Sequence, residues 1–545
     1  MSQLLHHFIF DSAANRPESI ALTYKTTDLT YQSLADQVKA FAMACRSESI
    51  IDGQRVAVYL AKEPANVIAL FGALSAGNVM VPINPQLKSI QVKHIVADCQ
   101  PRVLVTTAQR LDSINADSKE LASLRHIILT DSTVKPEKLA KLNSAYSEQQ
   151  LHLWRDWLNE ANEQFTSTDA TLQDSDLAAL LYTSGSTGQP KGVMLSHKNM
   201  VEGAKSVAQY LNNEHRDVLL AALPLSFDYG LSQLTTAFLT SARVVLIDFL
   251  FAKDIINAVA KYQITGLAAV PPLWVQLAQL EWPENLALRY ITNSGGVMPL
   301  TTLQTLRSKL PNTLPYLMYG LTEAFRSTYL PPEQIDVRPQ SMGRAIPNAK
   351  IFVINDQKQL CKPGEIGELV HAGVHVGLGY WQRSEQTAER FKPLPPDIGN
   401  EDNGLAVWSG DYVKHDEAGY LYFVGRRDEM IKSSGYRISP AEIEAVVYQL
   451  DMIDEVAAVG VQDDRLGQAV VLCLSLKTTD LDELEDSEQP FPKNIEGAIL
   501  KHCASCLPNF MQPKHIMRYQ QLPKNSNGKI DRALLKRNLS SLTIE

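Results

Sequence analysis

Short apolar, β-branched runs recur along the first 430 residues and alternate with stretches of helical length. Val56-Ala-Val-Tyr-Leu60, Val103-Leu-Val-Thr-Thr107, His126-Ile-Ile-Leu129, Val244-Val-Leu-Ile-Asp248 and Ile351-Phe-Val-Ile354 carry no internal polar alternation. Such runs suit strands buried on both faces. Between several of them lie helix-length segments such as Ala65 to Ala76 and Leu300 to Leu310. This alternation predicts an α/β fold built on a largely parallel sheet. Residues 145–175 are polar and poor in β-branched side chains, which predicts a surface connection or a solvated helix. The acidic stretch Thr479 to Gln489 predicts a loop insertion.

The pattern resets after about Asp428. Ser439-Pro-Ala-Glu442 has the spacing of a capping box with Pro at the first helical position, and it predicts a helix through Leu450. Strands at Val456–Gly460 and Ala469–Leu474 and a helix around Ile495 to Cys503 follow. The chain therefore divides into a large α/β domain over 1–427 and a small α+β domain over 428–545.

Composition narrows the class. The 545 residues are 45% apolar and 20% charged, with net charge −9, which excludes a disordered or fibrous chain and argues against a nucleic-acid surface. No apolar run reaches the roughly 18–20 residues that span a bilayer. The segment Met1 to Asp11 lacks a basic n-region, so no signal peptide is expected and a cytoplasmic location is. Six cysteines are too few for a disulfide framework. Cys503-Ala-Ser-Cys506 has redox or zinc spacing but no second ligand pair, so structural thiols are expected.

The most informative segment is Leu181-Tyr-Thr-Ser-Gly-Ser-Thr-Gly-Gln-Pro-Lys-Gly-Val-Met-Leu-Ser196. Glycines let backbone N–H groups converge, the hydroxyls of Thr183, Ser184, Ser186 and Thr187 add donors, and Lys191 adds charge, a combination able to cradle a polyphosphate. The spacing is not that of a Walker loop. Apolar flanks at Ala178–Tyr182 and Gly192–Leu195 argue against a flexible linker.

Thr183-Ser-Gly-Ser-Thr-Gly-Gln-Pro-Lys-Gly192 resembles the phosphate loop of the adenylate-forming ligases, which include acyl-CoA synthetases, peptide-synthetase adenylation domains and luciferases. Further motifs follow in that family's order: Tyr319-Gly-Leu-Thr-Glu323, Trp408-Ser-Gly-Asp411, Gly425-Arg-Arg-Asp428, Ile431-Lys-Ser-Ser-Gly-Tyr-Arg437 and Pro523-Lys-Asn-Ser-Asn-Gly-Lys529. The resemblance covers nearly the whole chain. It implies ATP and Mg²⁺, with a carboxylate attacking the α-phosphate to give an acyl-adenylate and pyrophosphate. It implies that Thr183, Ser184, Gly185, Ser186, Thr187, Gly188 and Lys191 handle the β- and γ-phosphates. Thr322 and Glu323 would meet the α-phosphate and the metal, Asp411 and Arg426 the ribose, and Ser294, Gly295, Gly296, Tyr319 and Gly320 the adenine. Lys529 matches the adenylation lysine, a flexible point charge able to bridge carboxylate and phosphate. Asp428 matches the hinge of a mobile C-terminal lid, and Gly435 a position that must stay small for the incoming thiol arm.

On the same resemblance the acid pocket is lined by Asp228, Tyr229, Ser232, Ala269, Thr292, Ser294, Met318, Arg326 and Ser327. An Asp at position 228 pairs with a substrate ammonium in the amino-acid-activating members, because a buried carboxylate without a cationic partner is costly. Tyr229, Met318 and Arg326 are bulky and favour a small acid such as glycine or alanine. The combination resembles stand-alone glycine-activating ligases that load a carrier protein in lipid A aminoacylation. Leu321 and the run Ser434–Pro440, in contrast, follow the acyl-CoA synthetase form, so a fatty or aromatic acid remains the alternative. No phosphopantetheine-attachment motif lies between Ile530 and Glu545, so the acceptor is expected to be a separate carrier protein or CoA.

Overall fold

The computed structural model describes residues 3–50, 52–114, 121–131, 133–159, 172–184, 190–398, 404–427, 429–433, 436–463, 466–477, 493–525 and 529–540. The chain forms two compact units. One comprises Met1–Ile351 with Val370–Trp408, the other Phe352–Leu369 with Ser409–Glu545.

The first unit is α/β and holds two large sheets. One runs, edge to edge, Arg344–Ala345, Thr328–Leu330, Leu314–Tyr319, Tyr290–Asn293, Gly266–Ala269, Val218–Ala221, Arg243–Leu246, Ile20–Tyr24 and Thr27–Thr30. Its six central strands are parallel, and Ala269 pairs in register with Asn293. The other runs Gly379–Tyr380, Pro190–Ser196, Leu177–Ser184, Val79–Pro82, Arg55–Val58, Val103–Thr106, His126–Leu129 and Gln150–Leu153. Burial on both faces explains the unbroken apolar runs. Val56, Val58, Val103 and Val105 enter one core, while Ala57, Leu104 and Ile127 enter the core on the opposite face.

The strands expected before residue 428 are present within a residue or two, as are helices Pro64–Ser75 and Leu300–Lys309. The polar stretch after residue 145 departs from expectation. It holds strand Gln150–Leu153 and helix Trp154–Asn159, and Trp157 is fully buried beside Phe41. Trp157, with Trp154 and Leu158 packed against the same core, ties this segment down despite its polar composition. Residues 160–171 lie outside the described residues, as does Thr479–Gln489.

The second unit is α+β. Strands Ile453–Asp463 and Gly467–Leu476 pair antiparallel, and His515–Arg518 adds in parallel. Alternation is strict. Val456, Ala458, Val470 and Leu472 face one apolar cluster, with Ala457, Val459, Val471 and Cys473 in the other. Helix Pro440–Val447 starts as expected, with Ser439 Oγ accepting from Glu442 N at 3.4 Å. That hydroxyl also donates to the Val424 carbonyl. Helix Lys493–Cys506 buries Cys503 in the core and leaves Cys506 exposed. All six cysteines are free thiols, and burial pushes the Cys503 thiol up to about 11. Among the described residues no helix is long and apolar enough to cross a membrane.

Candidate active site

In the first unit the candidate residues converge because parallel strands end at one edge. Gly266–Ala269, Tyr290–Asn293 and Leu314–Tyr319 are neighbours, so Ala269, Ser294-Gly295-Gly296 and Tyr319-Gly320 emerge side by side at their carboxyl ends. That edge is where α/β sheets bind ligands. Asn293 Nδ2 donates to the Gly296 carbonyl at 3.0 Å and pins the turn, where Gly295 has φ +82°. Ser327 N donates to the Tyr319 carbonyl at 3.2 Å and closes the loop 319–327 on itself.

Within that loop, Thr322–Ala324 form a single 3₁₀ turn with Thr322 and Glu323 buried. Tyr380 Oη donates to Glu323 Oε1 at 2.6 Å. Burial, and then the Glu323 carboxylate, push the Tyr380 phenol well above its ordinary range, so it remains a donor. Lys191 Nζ stands 3.8 Å above the same ring. Tyr380 thus touches both a lysine and a carboxylate that the motifs single out, and sequence reasoning missed it. Its only sequence signal is the apolar-aromatic context of Gly379-Tyr-Trp381. Lys191 itself is placed by the hairpin Leu177–Ser184/Pro190–Ser196, in which it pairs with Thr183. Gly185, Ser186, Thr187 and Gly188 lie outside the described residues, and so does the Ser184 side chain.

Directly after Glu323 the backbone is strained. Phe325 is fully buried yet holds φ 56° and ψ −38°, a sparsely populated region for a side-chain-bearing residue. Its ring occupies space left by Gly203 on helix His197–Leu211. A Cβ there would lie 2.2 Å from Phe325 Cδ1.

The strained turn brings Arg326 to Asp228. Helix Asp228–Thr240 carries Asp228 at its first position, where the helix dipole favours a carboxylate. Arg326 Nη1 donates to Asp228 Oδ2 at 3.5 Å, both side chains being about 95% or more buried. The Arg326 guanidinium also lies 4.7 Å over the Tyr229 ring, and Tyr229 Oη shares a 2.5 Å hydrogen bond with Thr292 Oγ1. Met318 Sδ accepts from Tyr210 Oη at 3.0 Å, and Ser232 is buried. Ser327 Oγ bonds His371 Nδ1 at 2.9 Å. Asp228 therefore has a cationic partner inside the protein, which the sequence argument had sought in the substrate.

The second unit holds the remaining candidates. In the hairpin Leu405–His415/Leu421–Arg426, Asp411 pairs with Arg426 across the strands, and Arg426 Nε lies 3.0 Å from Asp411 Oδ1 as an ion pair. Lys529 is exposed. Its N–H donates to Asn525 Oδ1 at 3.1 Å and its carbonyl accepts from Asn525 N at 2.8 Å. Beyond it Arg532 Nη2 donates to both oxygens of Glu444, at 2.6 and 2.7 Å. Asp428 and Gly435 lie outside the described residues.

Among the described residues no three His, Cys, Asp or Glu cluster to hold an ion. Glu323 offers a single carboxylate, which matches Mg²⁺ arriving with phosphate and water as its other ligands.

Two stretches of the chain match family models, AMP-binding enzyme over residues 9–381 and AMP-binding enzyme C-terminal domain over 442–529. The chain belongs to the AMP-binding enzyme family, the adenylate-forming ligases, and is an AMP-forming ligase. It is 32% identical over 524 residues to the L-proline–[L-prolyl-carrier protein] ligase of Streptomyces coelicolor, covering 92% of this chain and 91% of that one. A long-chain-fatty-acid–CoA ligase of Salmonella typhimurium is 29% identical, with 97% and 93% covered. A linear gramicidin synthase polypeptide of Brevibacillus parabrevis is 28% identical over 98% of this chain, but the chain spans only 6% of that protein. Among solved structures, the o-succinylbenzoate CoA synthetase of Bacillus subtilis in complex with its acyl-adenylate superposes with a TM-score of 0.79 at 26% identity, covering 98% of each chain.

Proposed function

We propose that this ligase activates a small amino acid with ATP and passes the aminoacyl group to a thiol borne by CoA or a separate phosphopantetheinylated carrier protein. The observation that carries the choice of acid is the polar pocket. Asp228, Arg326, Ser232 and Thr292 are all buried there. A long alkyl chain would desolvate these groups without offering them a single hydrogen bond. The similarity to a carrier-protein proline ligase supports an amino acid, and the comparable similarity to a fatty-acid ligase makes that class the rival to be tested.

In this reading an oxygen of the substrate carboxylate attacks the α-phosphorus, the bond to the pyrophosphate oxygen breaks, and acyl-AMP and pyrophosphate form. Thr183, Ser184, Ser186, Thr187 and Lys191 hold the β- and γ-phosphates, Thr322 the α-phosphate, and Glu323 the ion. Mg²⁺ supplies charge neutralisation on the phosphates. Ser294, Gly295, Gly296, Tyr319 and Gly320 enclose adenine, and Asp411, with Arg426, holds the ribose. Lys529 neutralises charge as it develops between carboxylate and phosphate. A thiolate then attacks the acyl carbonyl and AMP leaves. We take 427/428 as the division between catalytic body and lid, with Asp428 as the hinge and Gly435 as the position left bare for the thiol arm.

ATP–pyrophosphate exchange across amino acids and fatty acids tests this reading. Exchange with amino acids is expected, and exchange with fatty acids alone would overturn it.

A further inference from the structure

Arg326 is incompletely satisfied. A guanidinium carries five N–H donors, and this one is only 2% exposed. Among the described residues its hydrogen bonding is limited to one contact, the 3.5 Å approach to Asp228 Oδ2. That is long beside the roughly 2.7–2.9 Å of a charge-assisted pair. The Tyr229 and Phe325 rings, 4.7 and 5.8 Å from its Cζ, cover the guanidinium but accept none of its in-plane hydrogens, and Nε is buried without an acceptor.

A second observation points to the same place. Asp228, Ser232 and Thr236 recur at every fourth position of helix Asp228–Thr240 and so share one face. Ser232 Oγ and Thr236 Oγ1 are both buried and lack hydrogen-bond partners among the described residues. An unmatched buried donor is costly, and a charged one more so. Unmatched donors on one helix face, and on the arginine that meets its first residue, mark a place where a ligand brings the acceptors.

Building on the amino-acid reading above, we propose that Arg326, assisted by Ser232, recognises a carboxylate on the substrate side chain. The acid activated is then a short acidic amino acid of the aspartate class rather than glycine or alanine. Among the described residues Asp228 and Arg326 form one anion and one cation side by side, and such a substrate presents an ammonium to Asp228 and a second carboxylate to Arg326. The reacting carboxylate remains for the phosphate side. Neither half of the Asp228–Arg326 pair is then left buried beside an uncompensated charge.

The test is pyrophosphate exchange with the full-length enzyme on aspartate, glutamate, asparagine, serine, alanine, glycine and fatty acids, repeated with Arg326→Gln. Aspartate or glutamate should exceed alanine in kcat/KM by at least about 10-fold, since a site built to bond a polar group rejects analogues lacking it. Arg326→Gln should abolish that preference. Ligand-induced thermal stabilisation of the wild-type enzyme by aspartate over alanine gives a readout that does not depend on the variant folding. Glycine, alanine, asparagine or serine equalling the acidic substrates would overturn this inference and leave the amino-acid reading standing. Exchange with fatty acids alone would overturn both.

Discussion

Gly203→Ala should slow adenylation although Gly203 is not expected to touch any substrate. The new methyl carbon would stand 2.2 Å from Phe325 Cδ1 and 2.7 Å from Cε1, where ordinary contacts begin at 3.4 Å. Ring or helix must therefore shift by roughly 1 Å. Overpacking of this kind costs about 1–3 kcal/mol, and the gain in helix propensity on replacing glycine returns only about 1 kcal/mol. Phe325 cannot easily yield. It is fully buried and already held at φ 56° between Glu323 and Arg326. A shift of its ring is transmitted to both neighbours, and a displacement near 1 Å can cost on the order of 100-fold in rate. Pyrophosphate exchange with ATP and Mg²⁺ varied, together with thermal unfolding, separates the effects. The expected result is a modest loss of stability with a much larger fall in kcat. Gly203→Ala/Phe325→Leu should recover part of both through relief of the shared clash. A variant more stable by about 1 kcal/mol with unchanged exchange would show only the propensity gain, and the coupling would be refuted.

Tyr380→Phe keeps the ring beneath Lys191 but removes the 2.6 Å bond to Glu323, so exchange should fall about 10-fold or more; a change within about twofold would exclude a positioning role. Burial, and after it the neighbouring His152, hold His126 down to about 4. The unfolded chain therefore takes up this proton first as pH falls below the ordinary histidine value of about 6.5, and stability declines from there toward pH 4. His126→Asn should flatten that part of the stability–pH profile, and an unchanged slope would remove this histidine from the account. Arg532→Met leaves the Glu444 carboxylate, which also accepts from Ala458 N at 2.7 Å, without its guanidinium. Destabilisation of about 3 kcal/mol is expected, read as faster hydrogen exchange in helix Pro440–Val447 and strand Ile453–Asp463; unaltered protection there would contradict it.

What could be read from the chain beforehand follows from the range of the interactions involved. The strand at His126–Leu129 and the helix beginning after Ser439 were legible because their causes are local, in apolar runs and a cap three residues away. Candidate site residues could be named where they cluster in motifs, because glycine, hydroxyl and lysine in one short loop are the groups that a phosphate-binding loop needs. Illegible were contacts that join distant segments. Glu323 meets Tyr380 across 57 positions, Asp228 meets Arg326 across 98, and no local pattern records either pairing. The second case altered the chemical argument. From sequence, Asp228 needed a cation, and the substrate was the natural supplier. In the folded chain Arg326 stands beside it, so the carboxylate alone no longer specifies what binds. The specificity question moves to the guanidinium, whose Nε is buried without an acceptor among the described residues. A buried charge identifies a ligand only after its partners within the protein have been counted.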